Sequence, residues 1–211
     1  MGVLASVTGE PYPRHNVAME TSASASDGPH EQSGNGATAG FVRDASAADA
    51  SAIASIQSEC WSHDFDWPPE VLDAFGEHDP EMQWARAVIA PPGPGHRLLI
   101  ATQGKDVVGF AALAPSGDPD AHAGDIEIVA WEVHPEYRRH GHGSRLLAAL
   151  ADHARSIDAH TLTIWIAAGD DPRRHVLHDA GFEADGAHRT LEMDTHATSI
   201  GVRQVRLVAG L

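Results

Sequence analysis

The chain has 211 residues, 42% of them apolar, enough for one domain of ordinary size with a real core. Fourteen Lys and Arg against thirty Asp and Glu leave a formal charge of −16, which repels nucleic acid and anionic lipid unless a basic face is sharply segregated. The lone cysteine, Cys60, allows no internal disulfide and no zinc pattern, and no run approaches the roughly 18 apolar residues of a membrane span, so a soluble cytoplasmic protein without nucleic-acid or membrane partners is expected.

Residues 1–40 contain one Leu and no Ile, Phe or Trp, and 22–40 are nearly all small or polar. Such a segment buries too little apolar surface to offset its ordering entropy, which predicts a disordered tail over 1–40 and a domain over 41–211. Order should begin with a strand at 41–43. Ser46 then stands as an N-cap with Asp49 three residues on, and Ile53, Ile56 and Cys60 recur at helical spacing. Residues 68–76 and 80–89 read as short helices ahead of the breaker PPGPG at 91–95. Two β-rich runs, 97–102 and 107–114, form a hairpin around 103–106, and 125–133 is a further strand. Leu146, Leu147, Leu150 and Ala154 mark one face of a helix over about 143–157. A strand at 161–167, a short helix at 171–180 and strands at 188–193 and 202–209 complete the order, the last offering an edge for a homodimer. This alternation predicts a mixed α/β sheet.

The segment PEYRRHGHGSRLL (135–147) lies between strand and helix. A glycine-containing strand-to-helix turn points unpaired backbone N–H groups, and the positive end of a helix, at one place that suits a phosphate. Gly141 and Gly143 permit close approach, Arg138 and Arg139 can add charge-assisted bonds, and His140 and His142 would sit nearby as occasional cations. The alternative is a solvated helix start with incidental arginines. No carboxylate or cysteine accompanies His140-x-His142 at ligand spacing, so no metal is expected there.

Arg138-x-x-Gly141-x-Gly143, after Val133-His134-Pro135 and before Leu146-Leu147, resembles the coenzyme A pyrophosphate motif of the GNAT superfamily of N-acetyltransferases. Asp179-Ala180-Gly181-Phe182 resembles the family's second block, and 41–45 with 48–50 resemble its first strand and helix, so the similarity covers about 41–211. The resemblance implies the GNAT acyl-CoA N-acyltransferase fold, with a mostly antiparallel sheet splayed at its centre and acetyl-CoA in the wedge as co-substrate. It further implies that backbone groups of Trp131, Glu132 and Val133 pair with the pantetheine arm. The turn amides of Arg139, His140, Gly141, His142, Gly143 and Ser144 would cradle the pyrophosphate, and Arg138 stands where the family places Arg or Gln. Six of the thirteen arginines fall within 138–174, giving an acidic chain a cationic region for an anionic ligand. Arg145 and Arg155 read as helix-surface residues.

Acyl transfer to an alkyl amine of pKa roughly 10.4 calls for a base, since deprotonation at pH 7 costs about 4 kcal/mol. Glu127, on the motif strand at a position where several family members carry a catalytic glutamate, is the first choice, with Glu132 the second. Many relatives protonate the departing thiolate with a tyrosine four residues before the Gly of Gly-Phe; this chain has Leu177 there, and His178 and His175 are the candidates to replace it, although each also reads as a surface histidine. A thiol of pKa roughly 8.5 is a tolerable leaving group without help. Asp170 replaces a common asparagine. Residues 61–84 carry seven acids, no Lys or Arg, and three of five tryptophans, which would suit a cationic small-molecule amine, although an amphipathic helix pair with a solvated acidic face is the preferred reading. The competing function is a non-catalytic acyl-CoA-binding or regulatory module on the same fold.

Overall fold

The computed structural model describes residues 40–65, 67, 79–194 and 199–211. The tail expected over 1–40 lies outside these residues except for Gly40, and the helix expected over 68–76 lies outside them altogether. In chain order the elements are β1 (Gly40–Asp44), α1 (Ala50–Asp64), α2 (Pro80–Ile89), β2 (Arg97–Gln103), β3 (Asp106–Pro115), β4 (Asp125–Val133), α3 (His142–Ser156), β5 (Thr161–Ala167), α4 (Asp171–Asp179), β6 (Glu183–Asp194) and β7 (Ser199–Gly210). Single 3-10 turns precede α1 and follow β4.

The strands form one sheet in the order β1-β2-β3-β4-β5-β7-β6. The last strand, expected to offer an edge over 202–209, lies between β5 and β6 and is paired on both sides, so it offers no edge for a second copy. Every neighbouring pair is antiparallel except β4 and β5, which run parallel and pair only at Asp125↔Thr161, Ile126↔Leu162 and Glu127↔Thr163. Beyond that point β4 continues to Val133 and β5 to Ala167 without pairing to each other. The sheet is therefore splayed at its centre, as the family resemblance implies.

Each face of the sheet has its own core. Ala111 and Leu113 of β3, Ile126 and Ile128 of β4, and Leu162, Ile164 and Ile166 of β5 pack against Leu146, Leu147, Leu150 and Ala154 of α3. Phe110, Ala112 and Ala114 point the other way, onto Ile53, Ile56 and Cys60 of α1 and Trp84 and Ala87 of α2. Period-two alternation sorts β3 in this way. In β4 the alternation breaks, because Leu113 pairs with Ile128 while Ala112 pairs with Ala130, leaving Val129 as a bulge. One extra residue reverses the faces after it, so Trp131 joins the α3 side. Glu127, opposite Ala114, and Glu132, opposite Phe110, both face the α1 side although five positions apart.

Local signals fix the helix starts. Asp79 accepts from the Met82 amide at 3.0 Å and Asp170 from the Arg173 amide at 3.0 Å, each followed by a proline in the first turn. Ahead of α1, Asp49 Oδ2 accepts from both the amide and the hydroxyl of Ser46 at 2.7 Å, and the Arg43 guanidinium grips the same carboxylate with two bonds of 2.8 Å. The Arg43 bonds, helped by Ser46 and opposed by burial, hold the Asp49 carboxyl at about 2. Asp49→Asn should lower stability by about 1–2 kcal/mol at pH 7. A carboxyl with a depressed folded pKa contributes above its unfolded value of roughly 4, and the contribution is lost as pH falls through the folded one. Urea melts of the two proteins should accordingly converge toward pH 2, and a gap that persists there would point to another cause.

Candidate active site

The splay begins beside Glu127. Its side chain is fully buried on the α1 face, next to Thr163 where β5 last pairs with β4, and the Gly117 amide lies 3.5 Å from Oε2. The loop carrying Gly117 is tied down one residue later, where the Asp118 carboxylate accepts from Trp165 Nε1 at 3.0 Å and from Arg206 at 3.1 Å.

Further along β4 the strand has no neighbour on its β5 side, and its carbonyls must be satisfied in another way. Arg173 of α4 donates to the Trp131 carbonyl at 3.0 Å, and Arg138 Nε donates to that of Val133 at 3.0 Å. The Cys60 thiol also donates to Val133 O, at 3.3 Å. Both guanidinium groups then converge on Asp64 at the end of α1: Arg138 through two bonds of 2.6 and 2.9 Å, Arg173 through one contact of 3.4 Å. Arg173 further binds Glu132 at 2.5 Å and Asp170 at 3.1 Å. Burial alone would raise the Asp64 carboxyl, but the bonds from Arg138 and His63 and the charges of both arginines outweigh it and keep Asp64 below its usual range. Burial likewise opposes charge on Arg138 and Arg173, and their carboxylate partners reverse that effect, so both are raised. The Cys60 thiol is pushed up by burial and by Glu132, which makes it a poor nucleophile.

At the end of β4 the chain turns into α3. Arg139 adopts φ +64° and Gly141, the N-cap, φ +77°. Among the described residues, none of the amides from Arg139 to Ser144 donates to another group; the first bond of the helix runs from Arg145 N to Gly141 O. Six consecutive N–H groups at the positive end of a fifteen-residue helix therefore remain for a ligand. The turn is seated on Trp131, whose indole donates to Gly143 O at 3.1 Å and lies where a Cβ on Gly143 would meet it at 3.1 Å. Gly141→Ala should cost roughly 1–2 kcal/mol of stability through the left-handed conformation alone, read as a lower urea midpoint with unchanged slope.

The side chains expected to serve this turn divide. Arg138 is turned back to Val133 and Asp64, so its contribution is to the strand end rather than to the amide cradle. Arg139 is exposed and pairs with no carboxylate among the described residues. His140 is exposed, its Nδ1 2.7 Å from Arg138 O. His142 is only 2% exposed and lies between Gln103 and Arg145, without facing the turn. Among the described residues no group of three His, Cys, Asp or Glu is placed to hold a metal ion.

Of the candidate bases, Glu132 is bound by Arg173, and Glu127 is the fully buried carboxylate where the splay begins. His178 is exposed and lies 3.3 Å from Glu183, away from the other site residues, and His175 is exposed beside Asp179. Leu177 is fully buried in the α3-side core, so its position is a packing one in this chain. From the acidic aromatic stretch 61–84, Trp84 is buried against Phe110 and bonds Gln57, and Asp64 is held by its two arginines; residues 66 and 68–78 lie outside those described.

A family model for the acetyltransferase (GNAT) family matches residues 51–182, more than half of the chain and the part that carries the opened sheet and the glycine turn. The chain belongs to the GNAT acetyltransferase family. Among curated GNAT relatives, a mycothiol acetyltransferase of Stackebrandtia nassauensis is 38% identical over 86 residues, 41% of this chain and 26% of that protein. One from Streptomyces scabiei is 34% identical over 90 residues, 43% and 26% of the two chains. The aligned part spans about a quarter of the length of these relatives. Among solved structures, the PaiA N-acetyltransferase of Thermoplasma acidophilum in complex with coenzyme A superposes with a TM-score of 0.64 at 13% identity, covering 82% of this chain and 99% of that one. The ribosomal-protein-alanine N-acetyltransferase of Brucella melitensis gives 0.62 at 23% identity, covering 81% and 99%. A similar Salmonella typhimurium structure holds its cofactor acetyl-CoA. These likenesses establish the GNAT fold.

Proposed function

We propose that the domain over 41–211 transfers an acetyl group from acetyl-CoA to the primary amine of a small molecule, by direct attack with Glu127 as general base. The observation that carries this reading is the run of amides from Arg139 to Ser144 without a protein acceptor among the described residues, beside a sheet that opens past Glu127. Those amides suit a diphosphate, and along the splay-facing edge, where Arg173 and Arg138 already hold the Trp131 and Val133 carbonyls, an extended arm would pair with the other backbone groups of Trp131, Glu132 and Val133. Bound acetyl-CoA supplies the acetyl group as a thioester, activated for attack by nitrogen. Glu127 takes a proton from the acceptor's ammonium, so that the neutral nitrogen forms the C–N bond while the C–S bond breaks and the electron pair leaves on sulfur; the second proton, shed by the nitrogen once it is acylated, goes to the released thiolate through solvent. The thiolate departs without the family's tyrosine, at a cost set by its own pKa of roughly 8.5. The name of the curated relatives, mycothiol acetyltransferase, supports a small-molecule acceptor.

A purely acyl-CoA-binding module is favoured by one observation, the buried Leu177 at the tyrosine position. The two readings part on thiol release. Acetyl-CoA incubated with the chain and a panel of polyamines, amino sugars and amino acids should yield free coenzyme A in an acceptor-dependent manner. Tight binding without release for any amine would favour the module. Preference within the panel for cationic amines over anionic ones tests the reading of the 61–84 stretch.

A further inference from the structure

With the Arg138 guanidinium committed to Val133 and Asp64, a different arginine stands over the glycine turn. Arg145 Nη2 donates to the His140 carbonyl at 3.2 Å and contacts His142 Nδ1 at 3.1 Å. A guanidinium can only donate, so Nδ1 of His142 must be the acceptor and the ring proton sits on Nε2, where it is donated to Gln103 Oε1 at 3.0 Å. One buried imidazole thereby ties the end of β2 to the first turn of α3 and fixes the direction of Arg145. Burial, with Arg145 and His140 nearby, lowers the His142 pKa and agrees with a neutral ring. The hook also places the other guanidinium nitrogen: Nη1 lies 3.3 Å from where a Cβ on Gly141 would be, against the left-handed glycine that opens the turn. On its far side the guanidinium is walled by β1, since a Cβ on Gly40 would meet Nη2 at 2.7 Å.

Among the described residues Arg145 has no carboxylate partner, in contrast to Arg138 and Arg173 on Asp64, Arg155 on Asp152 and Arg174 on Asp171. We propose that Arg145 is a ligand for the donor's diphosphate, and that His142 is its positioning residue, acting through Arg145 rather than touching the phosphates itself. The proposal rests on the acetyl-CoA reading and the family membership that supports it, and adds to the backbone cradle a cation that the spacing of the motif does not reveal. In a chain with a net charge of −16 such a directed cation matters, because the general field repels the donor.

Two donors separate this role from a structural one: acetyl-CoA, which carries the diphosphate, and S-acetylpantetheine, which lacks it. Arg145→Gln should weaken acetyl-CoA about tenfold by calorimetry and raise its KM alike, as expected for one charge-assisted bond at an exposed site. Its turnover of S-acetylpantetheine should match the wild type, and Arg145→Lys should recover part of the loss. His142→Leu keeps the site apolar and removes the hook; it should raise the acetyl-CoA KM by about threefold with kcat unchanged, again sparing S-acetylpantetheine. Unchanged acetyl-CoA affinity in Arg145→Gln, or an equal loss for both donors, would overturn the proposal while leaving the function standing. A wild-type chain that does not bind acetyl-CoA at all would overturn both.

Discussion

Glu127→Gln should lower kcat by about a hundredfold or more while leaving acetyl-CoA affinity unchanged, the usual scale for removing a positioned general base. The substitution is isosteric, and the side chain is buried on a strand paired to both β3 and β5 at this point, so packing should survive. The amide cradle lies at the other end of the splay, after β4, so donor binding should not sense the change. Loss of the base also removes the acid limb of the pH–rate profile, because no carboxylate remains to be deprotonated. Glu132→Gln is the matched comparison. Glu132 is bound by Arg173, so this variant should act through stability and strand position, not by abolishing that limb. If it were instead the variant that erased the limb, the base would be Glu132.

The same pair of glutamates shows how far the sequence reaches. Elements with a strong period were legible almost to the residue: 80–89, 125–133 and 161–167 coincide with α2, β4 and β5. What could not be read is which face each β4 side chain takes, because Glu127 and Glu132, an odd number apart, should lie on opposite faces of a regular strand. The Val129 bulge puts them on the same face, and a bulge in an apolar run leaves no mark in composition. The reverse happened at β6. Its strand begins at Glu183, ahead of the expected 188, and Asp185 and Gly186 are absorbed as a register shift with Gly186 at φ +89°. At the glycine turn the backbone role follows from residue types, whereas the side-chain roles depend on tertiary partners far away in sequence. Asp64 takes Arg138 away from the turn, and Gln103 and His142 direct Arg145 toward it. The one signal for Arg145 was its position three residues after His142, on the same side of the helix.

Arg173→Ala should be among the most damaging single changes outside the apolar core, at about 3–5 kcal/mol, because it leaves buried charges without their partner. Glu132 is 3% exposed and would lose the guanidinium bound at 2.5 Å. Asp64 would keep Arg138 alone, and the Trp131 carbonyl would face the splay with no donor from α4. This penalty comes from stranding partners, and does not measure what the pair itself contributes. Arg173→Met combined with Glu132→Leu removes charge from both sides and should recover much of the loss, since well-packed apolar replacements of a buried pair are often neutral or better. Urea midpoints for the two singles and the double give the coupling directly. Additive losses would mean that the ion pair does not hold the end of β4. A strongly non-additive cycle would identify Arg173 and Glu132 as the side-chain substitute for the strand pairing that β5 abandons after Glu127. In that case the opening in the sheet is held from α4 and α1, the elements on its two sides, and it can admit a ligand without the strand end collapsing.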